Sequence, residues 1–343
     1  MMFLYLLSAF AITAISLLGL NPVAVKVGLV DIPGGRKTHL SATPLVGGLG
    51  IFLGITCISI AMPGVSTEFA PLLSLSALIL LIGTVDDAKE LTPLIRTLGH
   101  SLVALTMAVI VGVEVRSLGP IITDNTTNLD ILTVPITVFA TVGVINAINM
   151  TDGVDGLTGG LAIVTLSFIS AFAFYSGQVI TGSFCLIIIS SLTAFLSLNF
   201  RQPWRKRALV YLGDAGSTTL GFMLAWLLIT STQGINPNFA PVYALWFLAV
   251  PLFDAVNLLI KRPLQGRSPF APGNDHLHHM LLSRGFSAKQ VVLMLVSTAI
   301  ALGGIGCIGS LLGASQSLMF QLFVVLFSFY FCLSGRIKKI PTH

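Results

Sequence analysis

Long apolar stretches recur along the whole chain and limit its fold more than any other feature of the sequence. Each is about 20 residues long, which lets a helix cross a hydrocarbon core of roughly 30 Å. Of the 343 residues, 55% are hydrophobic and 9% are charged, whereas a soluble protein has roughly a quarter of its residues charged. The sequence therefore predicts an all-α polytopic membrane protein with a single domain over residues 1–343.

Eleven membrane spans are predicted from the positions of these stretches. They cover residues 2–20, 45–63, 70–85, 94–113, 131–148, 157–175, 179–199, 209–230, 240–260, 288–311 and 316–334. If the N-terminus lies outside, all but one of the 18 lysines and arginines fall in cytoplasmic segments, and only Arg116 lies outside. Because one missed span would invert every later loop, the positive-inside rule predicts an outer N-terminus and a cytoplasmic C-terminus.

Charged residues also indicate which side of the membrane carries the chemistry. The net charge of +5 comes from lysines and arginines scattered over short loops, which membrane orientation explains without nucleic-acid binding. Most acidic residues fall on the same predicted face, although acids do not follow the positive-inside rule. The active site is therefore predicted on the cytoplasmic loops at about residues 21–44, 86–96, 146–156, 200–217 and 261–289.

The pair Asp86-Asp87 ends the third predicted span. Neighbouring residues on a helix differ by about 100° in direction, so the two carboxylates are free to hold different partners, such as a metal ion and a substrate. The alternative is a solvated helix end. Two negative charges at a helix C-terminus interact unfavourably with the helix dipole, however, which disfavours a solvated helix end without a function.

Four polar residues recur at every third position after the fifth predicted span: Asn146, Asn149, Asp152 and Asp155. If the helix continues, their oxygens line one side of it; if it breaks at Gly153, they converge on a pocket. Either geometry suits a hard cation, a sugar or a nucleotide. The alternative is a polar turn that only joins two spans.

Asp214 lies in the segment Gly213-Asp214-Ala215-Gly216-Ser217, which opens the eighth predicted span. Free backbone N–H groups at a helix N-terminus favour an anion, and glycines let a phosphate approach closely. Asp214 itself is explained equally well as a metal ligand or as a helix N-cap.

Three of the six histidines, His276, His278 and His279, lie within four positions and follow Arg262 and Arg267. This density indicates phosphate contacts, proton transfer or a metal. Phosphate binding is favoured over zinc because no cysteine is near, and magnesium prefers the oxygen-rich clusters. A solvated polar loop is the alternative.

Asp254, inside the ninth predicted span, needs a partner one helical turn away, for which Asn257 and Lys261 are the candidates.

Taken together and in this order, these segments resemble the polyprenyl-phosphate N-acetylhexosamine-1-phosphate transferase superfamily over nearly the whole chain. Further motifs that carry the resemblance are Asp31-Ile32-Pro33, Pro44-Leu45-Val46-Gly47-Gly48, Thr232-Gln233-Gly234, Ser268-Pro269-Phe270 and His276-Leu277-His278-His279. The resemblance implies that the phosphate of undecaprenyl phosphate attacks the sugar-linked phosphate of UDP-GlcNAc and releases UMP. It also implies Mg²⁺, for which Mn²⁺ substitutes, a bacterial inner-membrane location, and an active site facing the cytoplasm. It allows a homodimer.

The motifs and the resemblance together assign candidate roles. Asp86, Asp87 and His278 are the candidate catalytic residues, and Asn149 and Asp214 are the candidate metal ligands. The candidate substrate-binding residues are Lys37, Arg96, Asn146, Asp152, Asp155, Arg262, His276 and His279. Within this set, the resemblance implies that Asp155 reads the uracil.

Three other functions are compatible with parts of the sequence. A related phosphotransferase would use another UDP-N-acetylhexosamine or UDP-MurNAc-pentapeptide. A secondary transporter would also have ten to twelve helices with acidic residues, but its site tends to lie at the bilayer midplane, whereas the acids here are predicted at one surface. A scaffold without catalysis leaves the regular Asn/Asp spacing unexplained.

Overall fold

The computed structural model describes residues 1–31, 42–121, 126–201, 205, 207–234, 236–268, 273 and 275–336, and these are mostly helical. The α-helices are α1 (Met2–Val27), α2 (Gly47–Ala61), α3 (Val65–Lys89), α4 (Pro93–Thr106), α5 (Thr133–Asn149), α6 (Leu157–Tyr175), α7 (Val179–Asn199), α8 (Gly213–Thr232), α9 (Pro241–Phe247), α10 (Ala249–Leu264), α11 (Leu277–Leu282), α12 (Ala288–Leu311) and α13 (Gln316–Arg336). Two short antiparallel strand pairs accompany them: β1 (Val30–Asp31) with β2 (Thr43–Pro44), and β3 (Ser117–Gly119) with β4 (Thr127–Asn128).

Nine helical segments in the described part of the chain are long and apolar enough to cross a membrane. They are α1, α3, α4 with its π-helical extension Met107–Val111, α5 with the preceding 3-10 turn Asp130–Leu132, α6, α7, α8, α12 and α13. The chain is therefore a polytopic membrane protein with a helical fold, as predicted. The total of eleven spans and the sides of the two termini stay predictions.

The other two predicted spans have unusual helices. α2 covers the span predicted at 45–63, but its 15 residues measure only about 22 Å at 1.5 Å per residue. The span predicted at 240–260 consists of α9 and α10, which meet at an angle of 86°. Pro251 lies in the first turn of α10 and has no N–H with which to continue the hydrogen-bonding pattern of α9, so a straight helix is interrupted here.

The core is organised around α8. In its most apolar window 94% of the residues are buried, against 17% for α1 and α13. Small residues let the neighbouring helices approach α8 closely. A Cβ on Gly83 of α3 or on Gly48 of α2 would overlap the backbone of α8. A Cβ on Gly221 of α8 would lie 2.7 Å from Cα of Ile145 in α5. Close packing through small residues is typical of membrane helices. It holds the N-terminus of α8 beside the C-terminal ends of α3 and α5.

Backbone hydrogen bonds attach the first β-strand pair to the same end of α8. The N–H of Tyr211 donates to the carbonyl of Pro44 (2.9 Å), and the N–H of Gly47 donates to the carbonyl of Tyr211 (2.9 Å). The N–H of Gly48 donates to the carbonyl of Leu212 (3.1 Å). The start of α2 and the start of α8 are therefore fixed to each other.

The predicted partners of Asp254 are wrong. Asn257 and Lys261 instead both bind Ser334 of α13, with Lys261 Nζ at 2.5 Å and Asn257 Oδ1 at 3.0 Å from its Oγ. The carboxylate of Asp254 is contacted by His276 and Tyr330. Helical spacing suggested local partners, but the packing of α13 and α11 against α10 brings closer ones from other helices.

Candidate active site

A carboxylate from α3 binds the N-terminus of α8. The two oxygens of Asp87 accept hydrogen bonds from the backbone N–H groups of Asp214 (2.8 Å) and Ala215 (3.1 Å). Gly213 has a φ of +74°, and a Cβ there would lie 2.6 Å from the Asp87 carboxylate, so glycine suits both the turn and the contact. The anion predicted at this helix end is thus supplied by the protein, in agreement with the helix dipole.

Arg96 of α4 joins two of the acidic segments. Its Nη1 lies 2.8 Å from Oδ2 of Asp86 and 3.5 Å from Oδ2 of Asp214. Asp86 is buried, and its Oδ1 also accepts the backbone N–H of Leu91 (2.7 Å). Because a buried carboxylate is costly without donors, Arg96 both stabilises Asp86 and reduces the negative charge around Asp214.

The carboxylate of Asp214 also binds the end of α5. Its Oδ1 accepts a hydrogen bond from Nδ2 of Asn149 (2.6 Å), which in turn lies 2.9 Å from Oγ of Ser217. Leu212 is the N-cap residue of α8 and no side-chain cap bond forms there, so the alternative of Asp214 as an N-cap is wrong. Asn149 Oδ1 accepts no hydrogen bond from the described residues and is available as a ligand.

The four regularly spaced polar residues do not share one side of a helix. α5 ends at Asn149, and turns connect it to α6, so the alternative of a continuous helix is wrong. Asn146, still inside α5, donates from Nδ2 to the carbonyl of Val142 (2.9 Å). Asn149 and Asp152 lie close to the carboxylates at the N-terminus of α8.

Asp152 is accessible to solvent, and yet its pKa is raised. Desolvation by the surrounding protein is the largest cause, followed by the negative charges of Asp214 and Asp87, while a hydrogen bond from Thr158 acts in the opposite direction. Carboxylates are therefore crowded at this end of the helix bundle. A bound cation would relieve their repulsion.

Asp152→Asn is expected to raise the thermal stability of the metal-free protein more at about pH 8 than at about pH 5. The pKa of Asp152 is higher in the folded protein than in the unfolded protein. The contribution of this carboxyl group to stability is therefore complete below the unfolded pKa and is lost as the pH rises through the folded pKa. Asparagine never acquires the destabilising charge. Thermal unfolding of detergent-purified protein in EDTA would measure the effect, and an equal gain at both pH values would contradict it.

Asp155 lies on the far side of the turn and pairs with a residue that the sequence did not suggest. Nε of Arg201 lies 2.5 Å from Oδ2 of Asp155. Tyr211 is close to the pair, because the charge of Asp155, after burial, contributes to raising the pKa of its hydroxyl. No sequence spacing links Arg201 to Asp155, since the two come from different loops. Asp155, Arg201 and Tyr211 form a second polar area beside the carboxylates.

The histidine helix α11 packs on the turn after α5. A Cβ built on Gly153 would overlap Nε2 of His278, so glycine is needed to admit the ring. His278 is buried, and its Nε2 has no hydrogen-bond partner among the described residues. Burial, followed by the charges of His279 and His276, lowers the pKa of His278 to about 3. Near neutral pH the ring is therefore uncharged, and its buried Nε2 lies against Gly153.

Arg262 supports the loop that leads into α11. It is 2% exposed, and its Nε and Nη2 donate to the two oxygens of Asp275 at 3.1 and 2.7 Å. Burial alone would raise the pKa of Asp275, but the hydrogen bonds and charge of Arg262, with a smaller effect of Arg267, lower it to about 2. This two-bond pairing is strong and directional. The contact of Arg262 with a diphosphate stays a prediction.

The side chains around Asp214 suit magnesium. Asp87, Asp152, Asp214 and Asn149 provide oxygen donors, which Mg²⁺ and Mn²⁺ prefer. No group of three or more His, Cys, Asp or Glu residues forms a ready metal centre in the described part of the chain. Mg²⁺ is commonly held by one or two carboxylates together with substrate phosphates, so Asp214 with Asn149 fits an ion that binds with a diphosphate.

Some predicted contributors lie outside the described residues. These are Lys37, Ile32-Pro33 of the first loop, and Pro269-Phe270 before the histidines, and their roles stay predictions. Of the described candidates, the structure brings Asp86, Asp87, Arg96, Asn149, Asp152 and Asp214 together and places His278 against their loop. Asn146 bonds to the carbonyl of Val142 in its own helix, and Asp155 and Arg262 pair with other side chains. All site roles remain predictions.

Comparison with known proteins gives the family. The model for glycosyl transferase family 4 matches residues 69–232, a range that includes the acidic clusters of α3, α5 and α8. The undecaprenyl-phosphate alpha-N-acetylglucosaminyl 1-phosphate transferase of Yersinia pestis is 34% identical over 91% of this chain and 86% of its own length. That of Salmonella typhi is 36% identical over 88% and 82%, and that of Escherichia coli K12 is 34% identical over 97% and 91%. The chain therefore belongs to the family of undecaprenyl-phosphate alpha-N-acetylglucosaminyl 1-phosphate transferases, within glycosyl transferase family 4.

Proposed function

We propose that this chain transfers GlcNAc-1-phosphate from UDP-GlcNAc to undecaprenyl phosphate, which releases UMP and forms GlcNAc-diphospho-undecaprenol. The names of its relatives state this kind of transfer. The observation in this chain that supports it is the meeting of Asp87, Asn149 and Asp214 where α3, α5 and α8 end or begin. A lipid headgroup and a soluble sugar nucleotide can reach a common site at such a helix end, but not in the middle of a bundle.

The proposed reaction is a direct attack of one substrate phosphate on the other. An oxygen of undecaprenyl phosphate forms a bond to the sugar-linked phosphorus, the bond from that phosphorus to the bridging oxygen breaks, and the electron pair leaves with UMP. A general base is only partly needed, because a phosphate monoester has its second pKa near 6 and is largely ionised at neutral pH. Asp214 and Asn149 would hold Mg²⁺, which when bound would supply positive charge to the diphosphate.

The protein residues orient the two anionic substrates. Arg96 carries the positive charge nearest to Asp214 in the described part of the chain and can contact a phosphate beside it. The neutral ring of His278 packs against Gly153 in the turn that carries Asp152, and its contact with the diphosphate stays a prediction. Asp152 and Asp155 would bind the sugar nucleotide through its hydroxyl and N–H donors. Asp87 keeps the start of α8 in place.

The membrane orientation follows from the positive-inside rule. We propose that the site faces the cytoplasm of a bacterial inner membrane, because nearly all lysines and arginines then lie on that side. UDP-GlcNAc is a cytoplasmic metabolite in this scheme, and the product is the first lipid-linked intermediate of an envelope polysaccharide. A homodimer is compatible with this arrangement.

Arg96→Ala is expected to lower the transfer rate roughly tenfold, because Asp86 becomes a buried carboxylate without its charged partner and the phosphates lose a cation. Arg96→Lys should retain part of the rate, since lysine keeps the charge but not the planar fork. Arg116→Ala is the matched control, because that guanidinium pairs with Glu114 near the strand pair β3–β4. Initial rates at saturating substrates would measure the effect; a wild-type rate in Arg96→Ala would contradict it.

Radiolabelled UDP-GlcNAc tests the proposed function directly. Purified protein is incubated with undecaprenyl phosphate and Mg²⁺, with and without EDTA, and the lipid phase and the UMP released are measured. Lipid-linked label with equal UMP, abolished by EDTA, is the expected result. Mass spectrometry of the lipid distinguishes GlcNAc from another N-acetylhexosamine and from MurNAc-pentapeptide.

The same label tests the transporter alternative. The 86° bend between α9 and α10 is a feature that also occurs in transporters, whose broken helices form substrate sites. Vesicles that contain the protein are therefore given labelled UDP-GlcNAc without undecaprenyl phosphate. Uptake of unaltered label in these vesicles, together with no lipid-linked product in the assay that contains undecaprenyl phosphate, would favour a transporter over a transferase.

A further inference from the structure

Asp254 is a buried carboxylate in α10 that the reaction described above does not use. It is 4% exposed, its Oδ2 lies 3.0 Å from Nδ1 of His276, and its Oδ1 accepts the backbone N–H of Leu277 at 2.9 Å. The hydroxyl of Tyr330 in α13 lies 3.3 Å from Oδ1. A carboxylate within a membrane helix is costly and usually has a function. Two of its three contacts here are to the start of the histidine helix α11.

The contact with His276 fixes which ring nitrogen carries a hydrogen. Carboxylate oxygens act as acceptors, as Oδ1 does toward Leu277 and Tyr330, so the pairing of Oδ2 with Nδ1 assigns the ring hydrogen to Nδ1. Nε2 is then the remaining polar atom of the ring, and it has no hydrogen-bond partner among the described residues. Carboxylate–histidine pairs set ring orientation and tautomer in this way in many enzymes.

The contact with Leu277 fixes the backbone of the same segment. The N–H of Leu277 belongs to the first residue of α11, so Asp254 satisfies a donor that a short helix cannot satisfy itself. The ring of His276 stacks on that of His278 with centroids 5.7 Å apart and planes 8° apart. His278 in turn packs against Gly153 in the acidic turn. A continuous series of contacts thus leads from α10 and α13 to the candidate active site.

We propose that Asp254 is a positioning residue for the transfer reaction: it holds His276 by Nδ1 and presents Nε2 to the sugar nucleotide, and it fixes the start of α11 so that His278 keeps its place on Gly153. This inference rests on the proposed transferase function. Asp254 itself touches neither substrate. Its effect is transmitted by His276 and by the backbone of Leu277.

Histidine NMR tests the tautomer without any activity measurement. The full chain is labelled with ¹⁵N-histidine in detergent, and the His276→Gln variant assigns the His276 signals. At about pH 8, above the ordinary histidine pKa of about 6.5, Nδ1 of His276 is expected to carry the hydrogen. In Asp254→Asn the new amide N–H₂ can donate to Nδ1, so the hydrogen should move to Nε2. A wild-type His276 with hydrogen-free Nδ1, or the same tautomer in both proteins, would overturn the proposal.

Kinetics separate positioning from simple support of the fold. Asp254→Asn is expected to lower kcat roughly 10- to 100-fold, the usual cost of removing a residue that orients a functional histidine, with an unchanged KM for undecaprenyl phosphate. Asn257→Ala is the matched control, because Asn257 is one turn away on the same helix, equally buried, and also bonded to α13. The control should keep both kcat and the histidine tautomer. Equal losses of kcat in the two variants would show that Asp254 only supports the packing of α10.

Failure of the proposed function is distinguishable from failure of this inference. If the wild-type protein forms no lipid-linked product, the transferase proposal fails, and the proposed role of Asp254 in the reaction fails with it. If the wild type forms product and Asp254→Asn does so at the same kcat, only the inference fails. Tyr330→Phe offers a milder variant should Asp254→Asn not fold: it removes one donor to Asp254 and is expected to lower kcat a fewfold without changing the yield of folded protein.

Discussion

Asp214→Asn is expected to lower the formation of lipid-linked GlcNAc at least roughly 1,000-fold, because charge stabilisation at a phosphoryl-transfer site is commonly worth that much. The change removes one negative charge and keeps the shape of the side chain. Asparagine Oδ1 can still accept the hydrogen bond from Asn149, and the backbone N–H still binds Asp87. The loss should therefore arise in the chemistry and in Mg²⁺ binding, while the protein folds and inserts.

Two measurements make this prediction specific. Binding of Mn²⁺, followed by electron paramagnetic resonance, should weaken in parallel with the loss of turnover. Asp130→Asn is the matched control: Asp130 has a φ of +42° at the start of the segment before α5, a conformation that asparagine tolerates, and it lies at the opposite end of α5 from Asn149. Turnover of Asp214→Asn within about threefold of wild type at equal Mg²⁺ would refute the assignment of Asp214 as a metal ligand.

The gathering of the acidic segments was predictable from the sequence. Asp86-Asp87 follows one apolar stretch, Asn149 follows another and Asp214 lies at the start of a third, so the lengths of the stretches place all of them near helix ends. The structure then brings Asp87 and Asn149 directly onto the start of α8. Hydrophobic length limits where a polar residue can lie along a membrane helix, and this is why so coarse a signal located the cluster.

The individual partners were not predictable. The bond from Asp87 to the backbone of α8 depends on how closely Gly83 and Ala215 let α3 and α8 approach, and no spacing in the sequence encodes this distance. Arg201 reaches Asp155 from the loop after α7, and Asp254 finds His276 instead of its neighbours on α10. Contacts between segments far apart in sequence depend on three-dimensional packing, whereas periodicity reports only on neighbours within one helix.

Gly153 is another residue whose importance is visible from a contact in the structure and not from a pattern in the sequence. The sequence indicated it only as a place where a helix ends, and the helix in fact ends earlier, at Asn149. Its function in the structure is to leave room for the ring of His278. Its φ lies outside the left-handed region, so an alanine there would meet steric resistance from the ring and no backbone strain.

Gly153→Ala is therefore expected to lower turnover roughly 100-fold, since a displacement of about 1 Å in an active site can cost that much. The new methyl group would overlap Nε2 of His278, and either the ring or the turn that carries Asp152 must move. Initial rates under saturating substrates give the effect. Gly143→Ala is the matched control, because a Cβ at Gly143 meets no other atom within 4 Å, and it should retain nearly full activity.

A double-mutant cycle decides whether the methyl group acts through His278. In a His278→Ala background the imidazole is absent, so adding Gly153→Ala should cost at most about threefold more, whereas independent effects would multiply. Strong non-additivity would mean that the acidic turn and the histidine helix work as one unit, with Gly153 as their contact. Fully multiplicative losses would mean that Gly153 matters to the turn alone, and the contact with His278 would then have no part in turnover.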